Sequence, residues 1–352
     1  MESWNSLSIK RSDEIDKLIV EEKDSVEVVA EKTKKFLASM QFEVDGDIEP
    51  LSKFICEQNK FQGSKTLLSA TEIKTLSNLG FIRVVLRSKD ASKNSPIFGC
   101  ILSAPISVFY KDEIKQIGCT SFLVVHQNFR TVGLAMALIK ETIKVGVDIK
   151  IFGGYHLIKE FKSKNAIECR RWMIPVNIVK CRKYGYCDSS YQSRFKKDQG
   201  MFPEHSMIRI VRIEEDVVSL EFFRKLTQDK KFRFAPNLEE WQRWIKYSTI
   251  ASDFQNFLII YIHLRIEMNV DQSERLICWP LLIAGNSELA LKWLFQKSKK
   301  DKCFVILLHE IGDIKRSVLE KIGARDSGSS VYLDFYNVGV TCTPTEICLP
   351  LI

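Results

Sequence analysis

The sequence of 352 residues contains ten cysteines but no Cys-x-x-Cys pair. The cysteines stand at irregular spacing and several lie inside apolar runs, which favours reduced core thiols over disulfides or zinc ligands. His309 and Glu310 follow an apolar stretch without a His-x-x-x-His partner, a pattern that argues against a metalloprotease-type site. We therefore expect no bound metal and no prosthetic group.

Long hydrophobic runs are also missing. No stretch approaches the roughly 18 to 20 uncharged residues that a membrane-spanning helix needs, so we expect no integral membrane segment. The first 17 residues, MESWNSLSIKRSDEIDK, have no signal-peptide core, and we expect an intracellular, cytoplasmic protein. A composition of 45% hydrophobic and 27% charged residues is typical of a globular chain with a large core, and the length suggests two fused halves.

The positive charge is concentrated in one region. The net charge is +8, and residues 159–198 carry eleven Lys and Arg against four Asp and Glu. Such a segment could steer a polyanion, although a solvated basic face or a nucleic-acid patch explains the same count. Few aromatics interleave with these charges, so we expect no nucleic-acid partner. We also expect the protein to be a monomer.

The most informative stretch is residues 120–146. An apolar strand (Phe122, Leu123, Val124 and Val125) leads into a polar turn, and the turn leads into an amphipathic helix. The turn contains Arg130-x-x-Gly133-x-Ala135, in which the glycine lets a backbone approach a ligand and the small alanine keeps the first helical turn open. Free amides at such a helix start favour anion binding. A small-residue helix start packed on a sheet is the alternative.

Hydrophobic periodicity predicts the order of the other elements. In the first half we expect helices over 11–39, 49–60, 70–79 and 166–173, and strands over 82–87, 97–110, 114–126, 151–157 and 178–186. In the second half we expect helices over 217–226, 238–247, 288–299 and 314–322, and strands over 257–268, 303–309 and 331–335. The polar, turn-rich residues 188–206 mark the boundary between the halves. The predicted division is a helical extension (1–40), an N-terminal half (41–200) and a C-terminal half (201–352).

The turn resembles a known motif. Its pattern, [RQ]-x-x-G-x-[GA], resembles the pyrophosphate-binding loop of the GNAT acyltransferases, which hold acyl-CoA. Three separated segments also resemble the glycylpeptide N-myristoyltransferases, which are two fused GNAT halves. The family sequence N-F-L-C-V-H-K-K-L-R-S-K-R-L-A-P corresponds to SFLVVHQNFRTVGLAM here, A-R-Y-W-H-R-S-L-N-P corresponds to CRRWMIPVNI, and L-E-K-L-K-F-G…Y-Y-L-Y-N-W corresponds to SVLEKIGARDSGSSVYLDFYNV.

The resemblance implies a fold, an activity and a set of site residues. It implies an α+β fold of two GNAT-like halves in pseudo-twofold relation, each with a mixed, mostly antiparallel sheet flanked by helices. The activity would be acyl transfer, with myristoyl-CoA as co-substrate and an N-terminal glycine of a protein or peptide as acceptor. In the family the N–H groups of the Phe-Leu pair form the oxyanion hole and the carboxylate of the last residue is the base; these positions are Phe122, Leu123 and Ile352. CoA would be held by Phe122, Leu123, Val124, Val125, Arg130, Thr131, Val132, Gly133, Leu134 and Ala135.

Two departures from the family leave alternatives open. The acidic E-D-D loop that receives a basic substrate residue has no counterpart in residues 57–69, and Val132-Gly133 stands where the family has Lys-Arg. A GNAT enzyme that uses a shorter acyl-CoA on another amine is one alternative. A non-catalytic relative that keeps the fold is the other.

Overall fold

The computed structural model describes residues 26–60, 66–89, 96–130, 133–151, 153–158, 166–191, 208–268, 271, 273–336, 338 and 340–351. Within these ranges the helices are α1 Val26–Ala38, α2 Ile48–Lys60, α3 Ala70–Ser77, α4 Leu134–Asp148, α5 Ile178–Lys183, α6 Asp216–Leu226, α7 Leu238–Tyr247, α8 Ser287–Lys300 and α9 Arg316–Lys321. The strands are β1 Met40–Val44, β2 Thr66–Leu68, β3 Ile82–Ser88, β4 Ile97–Tyr110, β5 Glu113–Val125, β6 Gly154–Ile158, β7 Ile167–Pro175, β8 Arg209–Ile210, β9 Phe232–Phe234, β10 Thr249–Ser252, β11 Phe257–Met268, β12 Glu274–Gly285, β13 Val305–His309, β14 Arg325–Tyr336 and β15 Ile347–Cys348. Of the predicted helix over 11–39, only the part from residue 26 lies among the described residues.

The strands form one mixed sheet, and this confirms the predicted α+β class. Its main path runs β1-β3-β4-β5-β6-β14-β7-β13-β12-β11-β10-β8. Most neighbours are antiparallel, whereas β5 and β6, β12 and β13, and β9 and β15 run parallel. Helices cover both faces of the sheet. One large hydrophobic cluster lies on one face, and two smaller clusters lie on the other face, beneath α8 and α4.

The second half repeats the plan of the first. In each half a long antiparallel pair, β4/β5 or β11/β12, leads into a helix, α4 or α8. The helix returns the chain to a strand parallel to the second member of the pair, β6 or β13. This repeated crossover is the predicted relation of two similar halves.

The two halves exchange strands. Strand β14, from the second half, lies between β6 and β7 of the first half. Strand β7 in turn pairs with β13 of the second half along its other edge. The sheet is therefore continuous across the two halves.

Two predicted elements are wrong. Residues 166–173, predicted as a helix, form strand β7, since both edges of this segment pair with other strands. Residues 178–186, predicted as a strand, begin with helix α5, because the Asn177 side chain accepts a hydrogen bond from the Lys180 amide at 3.0 Å and caps it. The helix is short and ends before Tyr184.

The cysteine side chains and two of the tryptophans lie largely in the core. All ten cysteines are free thiols, and eight of them are buried. Trp241 and Trp244 lie in the core at 0% and 1% exposure, and Trp241 stacks on Phe223. In the part of the chain described here, no group of three or more His, Cys, Asp or Glu side chains is arranged to hold a metal ion. Within the same residues, no helix combines the length and the hydrophobicity that crossing a membrane requires.

A buried carboxyl group on α7 makes stability depend on pH. Glu240 is 6% exposed, and its two oxygens accept from the Ser107 amide at 3.2 and 3.4 Å. Burial raises the pKa of Glu240 from 4.5 to about 7, against the opposing effect of the Ser107 hydrogen bonds. Between these values the folded chain binds more protons than the unfolded chain, so the free energy of unfolding falls as pH rises.

We expect Glu240→Gln to remove this fall, because an amide can accept from Ser107 without ionising. At pH 8 the variant should be more stable than the parent by up to about 3 kcal/mol, the free energy that corresponds to the difference between the folded and unfolded pKa values. Denaturant unfolding at pH 5 and pH 8 measures it. Glu239→Gln, on the exposed side of the same helix, is the matched control. If the free energy of unfolding changed equally with pH in the parent and both variants, the assignment to Glu240 would be contradicted.

Candidate active site

The ladder between β4 and β5 is interrupted where the oxyanion hole is predicted. Cys100 pairs with Val124 and Leu102 with Ser121, so Phe122 and Leu123 together oppose the single residue Ile101. This two-against-one register is a β-bulge, which leaves the extra residue outside the ladder and twists the strand.

The bulge also has an unusual backbone conformation. Phe122 has a φ of +54°, a left-handed value that non-glycine residues adopt rarely. Strain of this kind persists only where the surrounding structure imposes it, and it is concentrated at functional sites. The bulge therefore turns the Phe122 and Leu123 amides away from regular pairing with β4.

Strands β5 and β6 separate beside the bulge. Their parallel pairing ends at Thr120, opposite His156, and β6 continues along β14 instead. Among the described residues, no strand pairs with residues 121–125 on the side of β5 that faces β6. A cleft therefore opens at the level of Phe122, and Leu123 is 40% exposed.

Helix α4 begins close to the same cleft. Gly133 is the N-cap residue, has a φ of +73°, and has no side chain with which to cap the helix. The first amides of an uncapped helix need a partner and attract anions. The Leu134 side chain is fully buried and anchors the helix, so this end of α4 offers its backbone rather than its side chains to a ligand.

The turn before α4 is held by its own side chains. His126 Nδ1 accepts from the Asn128 amide at 3.3 Å, and the Gln127 amide donates to Gln58 Oε1 at 2.8 Å. Burial, followed by the charge of Arg130, lowers the pKa of His126. His126 is therefore a hydrogen-bonded structural residue.

The predicted CoA-binding residues take different positions. Arg130 is exposed, and its guanidinium lies 3.4 Å from the Val125 carbonyl and 3.5 Å from the Gln58 carbonyl. Val124 and Val125 are buried core residues, so they can contribute to a ligand site only through their backbone. Thr131, Val132 and Ile352 lie outside the described residues.

The C-terminal segment runs through the core toward this cleft. The Tyr155 hydroxyl donates to the Pro350 carbonyl at 2.7 Å, and Tyr155 pairs with Cys119, three residues before Phe122. Gly312 permits the close passage, since a Cβ there would lie 2.8 Å from the Ile347 carbonyl oxygen. The buried residues of the segment are Ile347, Cys348, Leu349 and Leu351.

A second bulge receives the end of this segment. Ile260 pairs with Leu282 and Tyr261 with Pro280, so Leu281 of β12 is an extra residue. The Leu351 amide donates to the Leu281 carbonyl at 3.0 Å. The opening between β12 and β13, which corresponds to the β5/β6 cleft, is thus filled by the chain itself.

Sequence reasoning missed several residues of this arrangement. Tyr155 and Leu281, which fix the C-terminal segment, belong to no motif, because their roles depend on strand register. Cys119, three residues before Phe122, is a buried core thiol at 1% exposure.

Comparison with known proteins gives the fold relationship. No protein-family model matches the sequence, and no curated protein matches it. The N-myristoyltransferase of Saccharomyces cerevisiae, crystallised with bound myristoyl-CoA, superposes with a TM-score of 0.72 at 13% sequence identity, over 88% of this chain and 84% of that chain. A structure of that enzyme with myristoyl-CoA and inhibitors gives a TM-score of 0.71 at 13% identity, over 88% and 82%. The predicted resemblance is therefore confirmed at the level of structure: the chain has an N-myristoyltransferase-like fold.

Proposed function

We propose that the protein transfers an acyl group from acyl-CoA to an amine by direct attack, without a covalent enzyme intermediate. The observation that carries this proposal is the bulge at Phe122 and Leu123, which faces the cleft between β5 and β6. Acyl transfer develops negative charge on the thioester oxygen, and fixed backbone donors stabilise such charge without reorganisation. The amides of Phe122 and Leu123 are the proposed donors.

The CoA moiety would lie along the start of α4. Its phosphates are anions, and the uncapped helix start after Gly133 offers free amides to them. The proposed binding residues are those predicted from the sequence: Phe122, Leu123, Val124, Val125, Arg130, Thr131, Val132, Gly133, Leu134 and Ala135.

The proposed base is the terminal carboxylate of Ile352. The attacking amine must lose a proton as the carbon–nitrogen bond forms and the CoA thiolate leaves. The preceding residue, Leu351, is 2% exposed and anchored to Leu281, so the segment approaches the cleft through an apolar interior. Burial raises the pKa of a carboxylate toward neutrality, which suits a general base.

The finer proposal is that the acyl group is myristoyl and the acceptor an N-terminal glycine. This specificity comes from the resemblance of the SFLVVHQNFRTVGLAM segment and from the fold, which supports it only at the level of architecture. We also propose a cytoplasmic monomer. The glycine of the wider GNAT pattern, Gly133, permits a shorter acyl-CoA as the second candidate.

Transfer assays with labelled acyl-CoA test the function. We expect turnover with myristoyl-CoA and a glycine peptide; turnover with acetyl-CoA alone would establish the second candidate, and CoA binding without turnover would indicate a non-catalytic protein. Deletion of Leu123 restores a one-to-one register between β4 and β5 and should lower kcat about 100- to 1,000-fold, the usual cost of one oxyanion donor.

The deletion needs a control for folding. Ile114→Ser changes a residue that is 67% exposed at the other end of β5 and should leave kcat unchanged. Full activity after deletion of Leu123, in a protein with unchanged circular dichroism, would refute the role of the bulge.

A further inference from the structure

Three polar side chains meet where β7, β13 and β12 lie side by side. They lie on the sheet face that carries the large hydrophobic cluster, here called the inner face. Arg171 of β7 is directly opposite His309 of β13, and directly opposed residues of an antiparallel pair point to the same face. The ring of Trp279, from β12, has its centroid 6.4 Å from that of His309. A guanidinium, an imidazole and an indole are thus close neighbours.

None of the three has a polar partner within the part of the chain that the structure describes. His309 is 8% exposed and its Nδ1 makes no hydrogen bond, and Trp279 Nε1 is buried without an acceptor. The only cause that shifts the pKa of Arg171 is burial, which lowers it, and no carboxylate opposes this effect. Buried polar groups are paired in nearly all folded proteins, so the unpaired His309 Nδ1 and Trp279 Nε1, next to the half-buried Arg171, mark a place where a ligand can bind.

The other face of the same strands shows the usual pairing. Arg170 lies 2.8 Å from the Asp326 carboxylate, and the Trp172 indole donates to Glu310 at 3.1 Å. On β7 and β13, the polar side chains of the opposite face are therefore paired.

The cluster lies beside the buried C-terminal segment. His309 lines a small cavity together with Leu281, Leu349 and Leu351, which are the residues that hold the end of the chain. A ligand bound by this cluster would lie against the C-terminal segment that leads to the proposed base.

The donor set defines the chemistry of the ligand. A guanidinium presents paired N–H groups that match the two oxygens of a carboxylate, and an indole can only donate. Burial and the neighbouring Arg171 lower the pKa of His309 to about 4, so the imidazole is neutral near pH 7 and the cluster carries a single positive charge. One charge matches a carboxylate better than a phosphate, which carries nearly two negative charges.

We propose that Arg171, Trp279 and His309 bind a carboxylate of the acceptor. The acceptor would then carry an acidic group in addition to the amine that is acylated. The inference rests on the proposed acyl transfer, because it assigns the acceptor of that reaction. The carboxylate belongs to an Asp or Glu side chain near the amino terminus of a peptide, or to the free C-terminus of a small amine.

Matched acceptors distinguish these sources. Glycine peptides with Glu or Gln at the second, third or fourth position, all amidated at the C-terminus, test the side chain; glycylglycine and its amide test the free terminus. We expect the carboxylate member of one pair to have a KM about 10- to 100-fold lower than its amide, the usual effect of a hydrogen-bonded charge. Equal KM values within every pair would overturn the inference.

Variants locate the effect. Arg171→Met should raise the KM for the acidic acceptor to that of its amide, without changing kcat or the KM for the amide. Arg171→Lys keeps the positive charge but lacks the paired N–H groups of the guanidinium, and it should give an intermediate KM. Arg170→Met, on the opposite face, should keep the preference. An equal loss of kcat for both acceptors in Arg171→Met would show instead that Arg171 acts on the enzyme's own chain end.

A binding measurement separates this inference from the proposed function. Calorimetry with the acidic peptide and its amide needs no turnover and uses the full chain with CoA present. Preferential binding of the acidic peptide without acyl transfer would support the carboxylate site and refute the acyltransferase. Acyl transfer without any preference in binding would support the acyltransferase and refute the carboxylate site.

Discussion

Removal of Ile352 is expected to abolish acyl transfer while acyl-CoA still binds. The proposed base is the main-chain carboxylate at this position, and a chain one residue shorter ends at Leu351, whose amide is fixed to the Leu281 carbonyl at 3.0 Å. The new carboxylate would therefore lie about 3.8 Å away from the required position. Loss of a general base lowers kcat by about 100- to 10,000-fold.

The experiment compares four chains. The parent, the chain without Ile352 and a chain extended by one glycine are assayed for kcat and for acyl-CoA affinity, and both altered chains should lose kcat with unchanged affinity. Leu351→Ala is the control for packing, since it removes buried side-chain atoms without moving the carboxylate along the backbone. If the shortened chain keeps the parent's kcat, the base lies elsewhere.

Asp313→Asn is expected to cause the largest loss of stability, about 3 to 5 kcal/mol, the usual cost of breaking a buried ion pair. Lys230, whose side chain is 8% exposed, donates to Asp313 Oδ1 at 2.6 Å and to the Thr345 carbonyl at 3.2 Å. Asp313 Oδ2 accepts from the Gly285 amide at 2.8 Å. The substitution leaves the buried ammonium with only the more distant carboxylate of Asp229, an exposed side chain 3.8 Å away.

Denaturant unfolding measures this effect, and two further variants interpret it. Lys230→Met combined with Asp313→Leu removes both charges and should recover much of the loss, because the pair costs desolvation as well as contributing attraction. Glu31→Gln breaks the exposed pair with Lys35 and should leave stability unchanged, since solvent screens such pairs. A loss for Glu31→Gln equal to that for Asp313→Asn would show that burial is not the cause.

The same ion pair links stability to the proposed chemistry. Lys230 contacts the segment just before β15 through Thr345, and this segment leads to the end of the chain. Asp313→Asn should therefore lower kcat as well, and that loss should be smaller than the one caused by removing Ile352.

Local patterns predicted the elements on which the proposed site is built. The apolar run of β5, the polar turn and the amphipathic helix α4 follow from residue periodicity, because each is stabilised largely by its own sequence. The buried C-terminal residues Ile347, Leu349 and Leu351 are apolar in the same local sense. These features need no knowledge of distant partners.

Features that depend on strand register could not be predicted in this way. The bulge at Phe122 is a property of the pairing between β4 and β5, and nothing in the local sequence fixes a two-against-one count. Strand β12 was not predicted at all; it contains Pro280, which usually argues against a central strand, but the bulge at Leu281 follows directly and accommodates it. Segment 166–173 was predicted as a helix because its pairing with β13 and β14 comes from residues more than 130 positions away.

The strand exchange in the sheet has a consequence for folding. Without β14, the strands β6 and β7 would face a gap one strand wide, and without β7 the edge of β13 would be open to water. Neither half can therefore complete its hydrogen-bonded ladder before the other is synthesised, and the contacts that close the sheet span long distances along the chain. Such contacts slow folding and make unfolding of the two halves a single cooperative event, so a cut in the region between them would yield two aggregation-prone fragments rather than two stable domains.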